Sequence, residues 1–289
     1  VQQIIDTNLW LAHKRRAFLQ PVEGADFLLR RVADDLGDRL SAVERRFSDA
    51  ATLFCQTASA ANVLAASGKV ENVTRFEAAT DFLQPDQGAV ASFETVPVPP
   101  ESLDLVVSLM SLHAMNDIPG MLAQIRRALR PDGLFLGAFA GAGTLAELRE
   151  SLLAAETELY GGASPRVVPF TDVRDAGGLL QRAGFALPVA DVETTVVRYD
   201  TLFHLMADLR AMGEQSALLE RPRRPATREL FRRAADIYAE RFSDPDGRIR
   251  ASFSIVWLSG WAPHPSQQKP LKPGAGKVSL AKVLGDRSG

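Results

Sequence analysis

The stretch from Glu101 to Ala140, ESLDLVVSLMSLHAMNDIPGMLAQIRRALRPDGLFLGAFA, constrains the fold more than any other part of the chain. Leu103 to Leu109 is a short apolar run of the kind that a strand covered on both faces shows. Asn116-Asp117 then offers a helix N-cap, and Met121, Leu122, Ile125 and Leu129 recur at three- and four-residue spacing on one helical face. Pro131-Asp132-Gly133 is expected to stop that helix, and Leu134 to Ala140 to begin a second buried strand. A helix between two buried strands is the parallel crossover unit of an open α/β sheet.

Composition agrees with that class. A chain of 289 residues, 46% hydrophobic and 24% charged, can bury a sizeable core. A formal net charge of −2 gives no global electrostatic reason for nucleic-acid binding. Cys55 is the single cysteine, so an internal disulfide is excluded and a reducing compartment is favoured. No run of 18 or more apolar residues appears and the start lacks a signal-peptide core, which makes a cytoplasmic location the expectation.

The rest of the chain divides around this unit. Residues 1–45 read as an N-terminal helical segment, with Phe27, Leu28, Val32, Leu36 and Leu40 on one side of a helix over Ala25 to Phe47. Residues 46–263 read as the sheet domain. Within it, helices are predicted over Leu145 to Tyr160 and Thr171 to Ala183, and an antiparallel edge strand over Ala186 to Val197. Two more helices, Asp200 to Ala217 and Pro225 to Phe242, form an insert over about 200–243 before a last strand, Arg250 to Trp261. Residues 264–289 are rich in Pro, Gly and Lys and read as a mobile tail.

The order LDLVVS, LH, ND-P and L-x-Q-I-x-R-x-L-R-P-D-G resembles the fourth strand, helix and fifth strand of class I S-adenosylmethionine-dependent methyltransferases. The resemblance implies a Rossmann-like, mostly parallel seven-stranded sheet with helices on both faces. It also implies S-adenosylmethionine as cofactor, in the crevice at the carboxyl ends of the strands. The matching cofactor residues are Phe54, Cys55 and Gln56 after the first strand, and Glu77 ending a second strand over Val73 to Glu77 as the ribose carboxylate. Ser92, Phe93 and Glu94 match in a third strand region over Val90 to Pro97, and Ser108, Leu109 and Met110 at the end of the fourth. The family's first strand leads into an acid and three glycines, whose bare backbone approaches the ligand closely. Here those positions are Thr52, Phe54, Gln56 and Ala58.

Outside the core, SPRVVPFTDVRDAGGLLQRAGF, YDTLFHLMADLRAMG (Tyr199 to Gly213), DPDGRIRASF and GWAPHPSQQKP resemble the methyltransferase-like assembly factors of respiratory complex I, mitochondrial proteins with alphaproteobacterial counterparts. That likeness implies a protein partner, the small iron–sulfur subunit of the quinone-reducing arm, and arginine hydroxylation or methylation as the chemistry. Membrane association is expected through the partner only. The family's opening F-D-R-x-L pattern survives here at Asp6, a weak catalytic candidate. Two alternatives stay open beside an enzyme of this kind: an assembly factor that binds without turnover, and a small-molecule or acyl-carrier methyltransferase.

His113, just after the fourth strand, is the other catalytic candidate, because an imidazole exchanges its proton near neutral pH. A histidine at such a loop is more often a helix-entry or packing residue. Cys55 has no nearby histidine and reads as an inert buried thiol. Four histidines and one cysteine show no metal-ligand spacing, so no metal is expected. Arg221, Arg223, Arg224, Arg228, Arg232 and Arg233 form a basic cluster, read as a solvated helix face or as a docking patch for an acidic partner. Trp257 and Trp261 are expected to pack in the last strand.

Overall fold

The computed structural model describes residues 3–83 and 88–267. Seven strands, β1 (Phe47–Leu53), β2 (Val70–Glu77), β3 (Gly88–Val90), β4 (Leu103–Leu109), β5 (Leu129–Ala140), β6 (Ala186–Tyr199) and β7 (Ile249–Trp261), form one sheet. Their order is β3-β2-β1-β4-β5-β7-β6, with β7 antiparallel to both β5 and β6 and the other pairs parallel. Every residue of β4 is buried, as the apolar run required. From Leu105 on its side chains alternate between two apolar layers, Leu105, Val107 and Leu109 in one and Val106 in the other, and the register shift between Leu103 and Leu105 puts Leu103 in the second layer as well.

Helices α2 (Phe27–Ser41), α3 (Ser59–Ala66), α5 (Ala146–Tyr160), α7 (Leu202–Ala211) and α8 (Arg228–Phe242) supply the first layer. Helices α4 (Ile118–Ala128) and α6 (Val173–Arg182) supply the second. The first helix, α1 (Thr7–Leu19), buries Trp10 with Ile5, Ala114, Ala217 and Leu218 in a third, smaller cluster. Helix α4 starts where its cap residue dictates, because the Asp117 carboxylate accepts the Gly120 N–H at 2.9 Å. Its buried face is Met121, Leu122, Ile125 and Ala128. Trp257 is buried in β7, and the Arg39 guanidinium lies 4.4 Å from its ring centre while gripping Asp191 of β6.

Four sequence expectations are corrected. Leu129 does not end α4 but opens β5, which runs through Pro131-Asp132-Gly133. The cause lies far off in sequence: Leu129 pairs with Leu103, the register shifts before Leu105, and Asp132 and Gly133 bond to Ala262. The third strand stops at Val90 rather than reaching Pro97. Glu94, at φ 68°, turns the chain toward α4, and the prolines that follow lack ladder donors. Helix α2 ends at Ser41, well before Phe47, which belongs to β1. Helix α7 ends at Ala211, because Gly213 (φ 72°) redirects residues 214–217 into a cavity wall. The tail beyond residue 267 and residues 84–87 lie outside the described residues. Among the described residues no helix is long and apolar enough to cross a membrane.

Candidate functional site

The carboxyl ends of β1, β4 and β5 open into a cavity of about 1270 Å³. Between β1 and β4 the strand order reverses, the place where an open α/β sheet leaves a crevice. Gln56 and Thr57 reach it after β1, Met110 and His113 after β4, and Ala140 at the end of β5. Apolar side chains such as Leu28, Leu148, Phe170 and Phe253 make up much of the wall.

The polar end is built from both ends of the fold. Gly213 lets the chain pass α1 closely, since an added Cβ would stand 3.0 Å from the His13 carbonyl oxygen and the Lys14 Cα. Asp6 N–H then donates to the Ala217 carbonyl at 2.7 Å, and Asn116 Oδ1 accepts the Ile4 and Ile5 N–H groups at 2.8 and 2.9 Å. This seats Lys14, of which only 5% is exposed, against Glu214, and Lys14 also donates to the Met212 carbonyl at 3.1 Å. His113, on a single 3₁₀ turn (Leu112–Ala114), brings Nε2 to 3.6 Å from Glu214 Oε2. Burial pushes the Glu214 carboxyl up, but Lys14 and His113 more than offset it and hold it at about 2. Glu214 is therefore ionised at neutral pH. His113 Nδ1 has no hydrogen-bond partner among the described residues.

The loop after β1 contains no glycine, yet Phe54 (φ 55°) and Gln56 (φ 64°) hold left-handed backbone. Phe54 is buried and meets Phe93 edge-on with ring centres 5.1 Å apart, and Trp10 stacks on Phe93 at 4.9 Å. Glu77 is fully buried: Oε2 accepts the Gln56 N–H at 3.0 Å and Oε1 lies 3.3 Å from Arg75. Burial raises its carboxyl to about 7, against the opposing pull of the Gln56 N–H and Arg75. Cys55 is buried behind the loop, where Sγ accepts the Leu109 N–H at 3.3 Å and burial pushes the thiol to about 12.

Of the sequence candidates, Gln56, Met110 and His113 therefore meet on the cavity. Leu109 and Ser108 are buried in the sheet, with Ser108 Oγ 3.1 Å from Ser111 Oγ. Ser92 is exposed, and Glu94 accepts the Asn116 and Asp117 N–H groups at 2.7 and 3.0 Å. Asp6 caps α1 through the Leu9 N–H and pairs with Arg221 at 3.3 Å. Lys14, Glu214 and Trp10 were missed. Lys14 sits in the polar, basic run His13-Lys14-Arg15-Arg16, and Glu214 follows the distinctive LRAMG segment, neither with any local sign of a partner.

S-adenosylmethionine, which the fold implies, needs a free carboxylate for its ribose hydroxyls and a bare backbone beside its methionine. Glu77 is spent on Gln56 and Arg75, and the Phe54–Phe93–Trp10 stack stands at the same strand ends. These residues do not fit that cofactor in the ordinary pose. No cluster of three or more His, Cys, Asp or Glu side chains suited to a metal occurs among the described residues.

Residues 52–137 match the methyltransferase-domain family, Methyltransf_11. A putative methyltransferase from Bacillus halodurans superposes with a TM-score of 0.55 at 15% identity, over 80% of this chain and 98% of its own. Sheet order, crevice and these matches define a protein of the class I methyltransferase fold. The mitochondrial arginine-hydroxylase NDUFAF5 of Homo sapiens is 37% identical over 289 residues, covering 97% of this chain and 83% of that protein. The protein of the same name from Dictyostelium discoideum is 43% identical over 189 residues, and there the match spans 43% of the relative's length. The chain belongs to this arginine-hydroxylase NDUFAF5 family.

Proposed function

We propose that this chain modifies an arginine side chain of a respiratory complex I subunit during assembly, with the small iron–sulfur subunit as substrate and the cytoplasm as its compartment. The observation that carries this reading is the near full-length similarity to a protein named an arginine hydroxylase. The cavity supports it. Its walls are largely apolar, and its polar end places the ionised Glu214 beside Lys14 and His113. In this reading the Glu214 carboxylate, 3.6 Å from His113 Nε2 and paired with Lys14, is the charged group that meets the substrate side chain at the cavity's polar end. No step is assigned to S-adenosylmethionine, because Glu77 and Phe54 do not fit its ordinary pose.

A second reading rests on that same misfit: a factor that binds the subunit and assists assembly without turnover. Mass spectrometry of the subunit, purified from cells with and without the chain, separates the two. A gain of one oxygen on an arginine, present only with the chain, supports hydroxylation, and a methyl gain supports methylation. An unmodified arginine in normally assembled complex, lost on deletion of the chain, sinks the enzyme reading and leaves the binding factor.

A further inference from the structure

Arginines crowd the segment between α7 and α8 and the start of α8. Arg221 is engaged by Asp6 and the Leu218 carbonyl, and Arg233 by Glu158. Arg223, Arg224, Arg228 and Arg232 are exposed, and among the described residues no carboxylate lies within ion-pair distance of any of them. Glu220 and Glu229 lie in the same stretch, but six arginines outnumber them, and the chain as a whole carries −2, so this is a local excess of positive charge rather than a share of a basic surface. Arg228 is the first residue of α8, where the helix N-terminus adds its own partial positive charge. Like charges held together repel, and an anion bound among them relieves that cost.

One member of the patch, Arg224, reaches the cavity. Arg224 lines the mouth together with Pro222, Pro225, Ala226 and Phe231. An anion held by these guanidinium groups is thus poised to send an adjoining side chain inward, toward Glu214. A flat bilayer matches a concave mouth poorly, whereas an extended peptide follows it. Guanidinium forks grip carboxylates in a fixed two-pronged geometry, which also sets the direction of the bound chain.

We propose that Arg223, Arg224, Arg228 and Arg232 form a docking surface for an acidic peptide segment that delivers a side chain into the cavity. The identity of that side chain as arginine rests on the proposed function; the docking does not.

Titration calorimetry of the full chain tests it, using a short synthetic peptide with one central arginine flanked by glutamates. The controls are the same peptide with glutamines for glutamates, the same with alanine for the arginine, and vesicles of phosphatidylglycerol and phosphatidylcholine. Two exposed double variants, Arg223→Glu with Arg224→Glu and Arg228→Glu with Arg232→Glu, are compared at matched melting temperature. The expected result is binding of the acidic peptide that weakens with salt and falls about tenfold or more in each variant. Equal binding of the glutamine peptide, affinity unmoved by charge reversal, or binding to the vesicles alone overturns the proposal. Loss of affinity in the variants with no difference between the arginine and alanine peptides upholds the docking surface and counts against the arginine reading.

Discussion

Phe54 and Gln56 sit in left-handed backbone that a residue with a Cβ adopts at a cost of roughly 1–2 kcal/mol each. The fold keeps Phe54 there because its ring is buried against Phe93, worth roughly 1.5–3 kcal/mol. Phe54→Gly relieves the backbone but leaves a hole, so a net loss of about 2–4 kcal/mol is expected in urea unfolding. Combined with Gln56→Gly, it should raise S-adenosylmethionine affinity in titration calorimetry, and no change would mean that this loop is not what closes the pose. Two buried carboxyls respond to pH in opposite senses. Glu77, raised to about 7 from the ordinary 4.5, stays protonated longer in the fold, so its contribution falls as pH climbs from 4.5 through 7. Glu214, held at about 2, stabilises above 4.5, and that contribution is lost as pH falls through 2. Melting curves from acid to neutral pH should lose the first slope in Glu77→Gln and the second in Glu214→Gln.

At the scale of elements, what was legible in the sequence was what local chemistry decides. The apolar run of β4 and the Asp117 cap fix a strand and a helix start by themselves. Asp117→Ala should therefore cost about 1 kcal/mol, read as a lower denaturation midpoint with an unchanged slope. The errors fall where a distant partner decides. Leu129 carries the helical spacing of α4, yet its pairing with Leu103 draws it into β5. Phe93 and Glu94 read as strand, yet contacts with Trp10 and with the N–H groups of Asn116 and Asp117 hold them in a loop. The site divides in the same way. His113, Gln56 and Met110 were readable because the ends of parallel strands converge on the crevice, whatever the sequence between them. The partnership of Lys14 with Glu214 spans 200 residues, and no periodicity or spacing signals it.

Across the whole molecule, that pair is where the first helix closes over the sheet. Helix α1 meets the rest of the chain through Trp10 on Phe93, through Lys14, and through Arg16 on Gln215. Trp10, Lys14 and Gln215 line the cavity, and α1 also pairs Arg15 with Asp81 and meets Phe82 edge-on through Phe18. Only Trp10 and Lys14 of α1 are buried, so its docking depends on specific contacts more than on area. Lys14→Met keeps the length of the stem but strands an ionised Glu214 with His113 alone. Breaking a buried pair from one side costs about 3–5 kcal/mol, and since a quarter of the Glu214 side chain is exposed, about 3 kcal/mol is expected here. Helix α1 should be released before the sheet unfolds, because its buried cluster is separate from the two main apolar layers and reaches the second through Trp10 on Phe93. Hydrogen exchange should then quicken over residues 7–19 and 214–217 while β4 and β5 keep their protection. The double variant Lys14→Met with Glu214→Leu removes the stranded charge and should recover much of the loss. Uniformly faster exchange across the sheet in Lys14→Met would mean that α1 is part of the cooperative core and not a separable cover on the cavity.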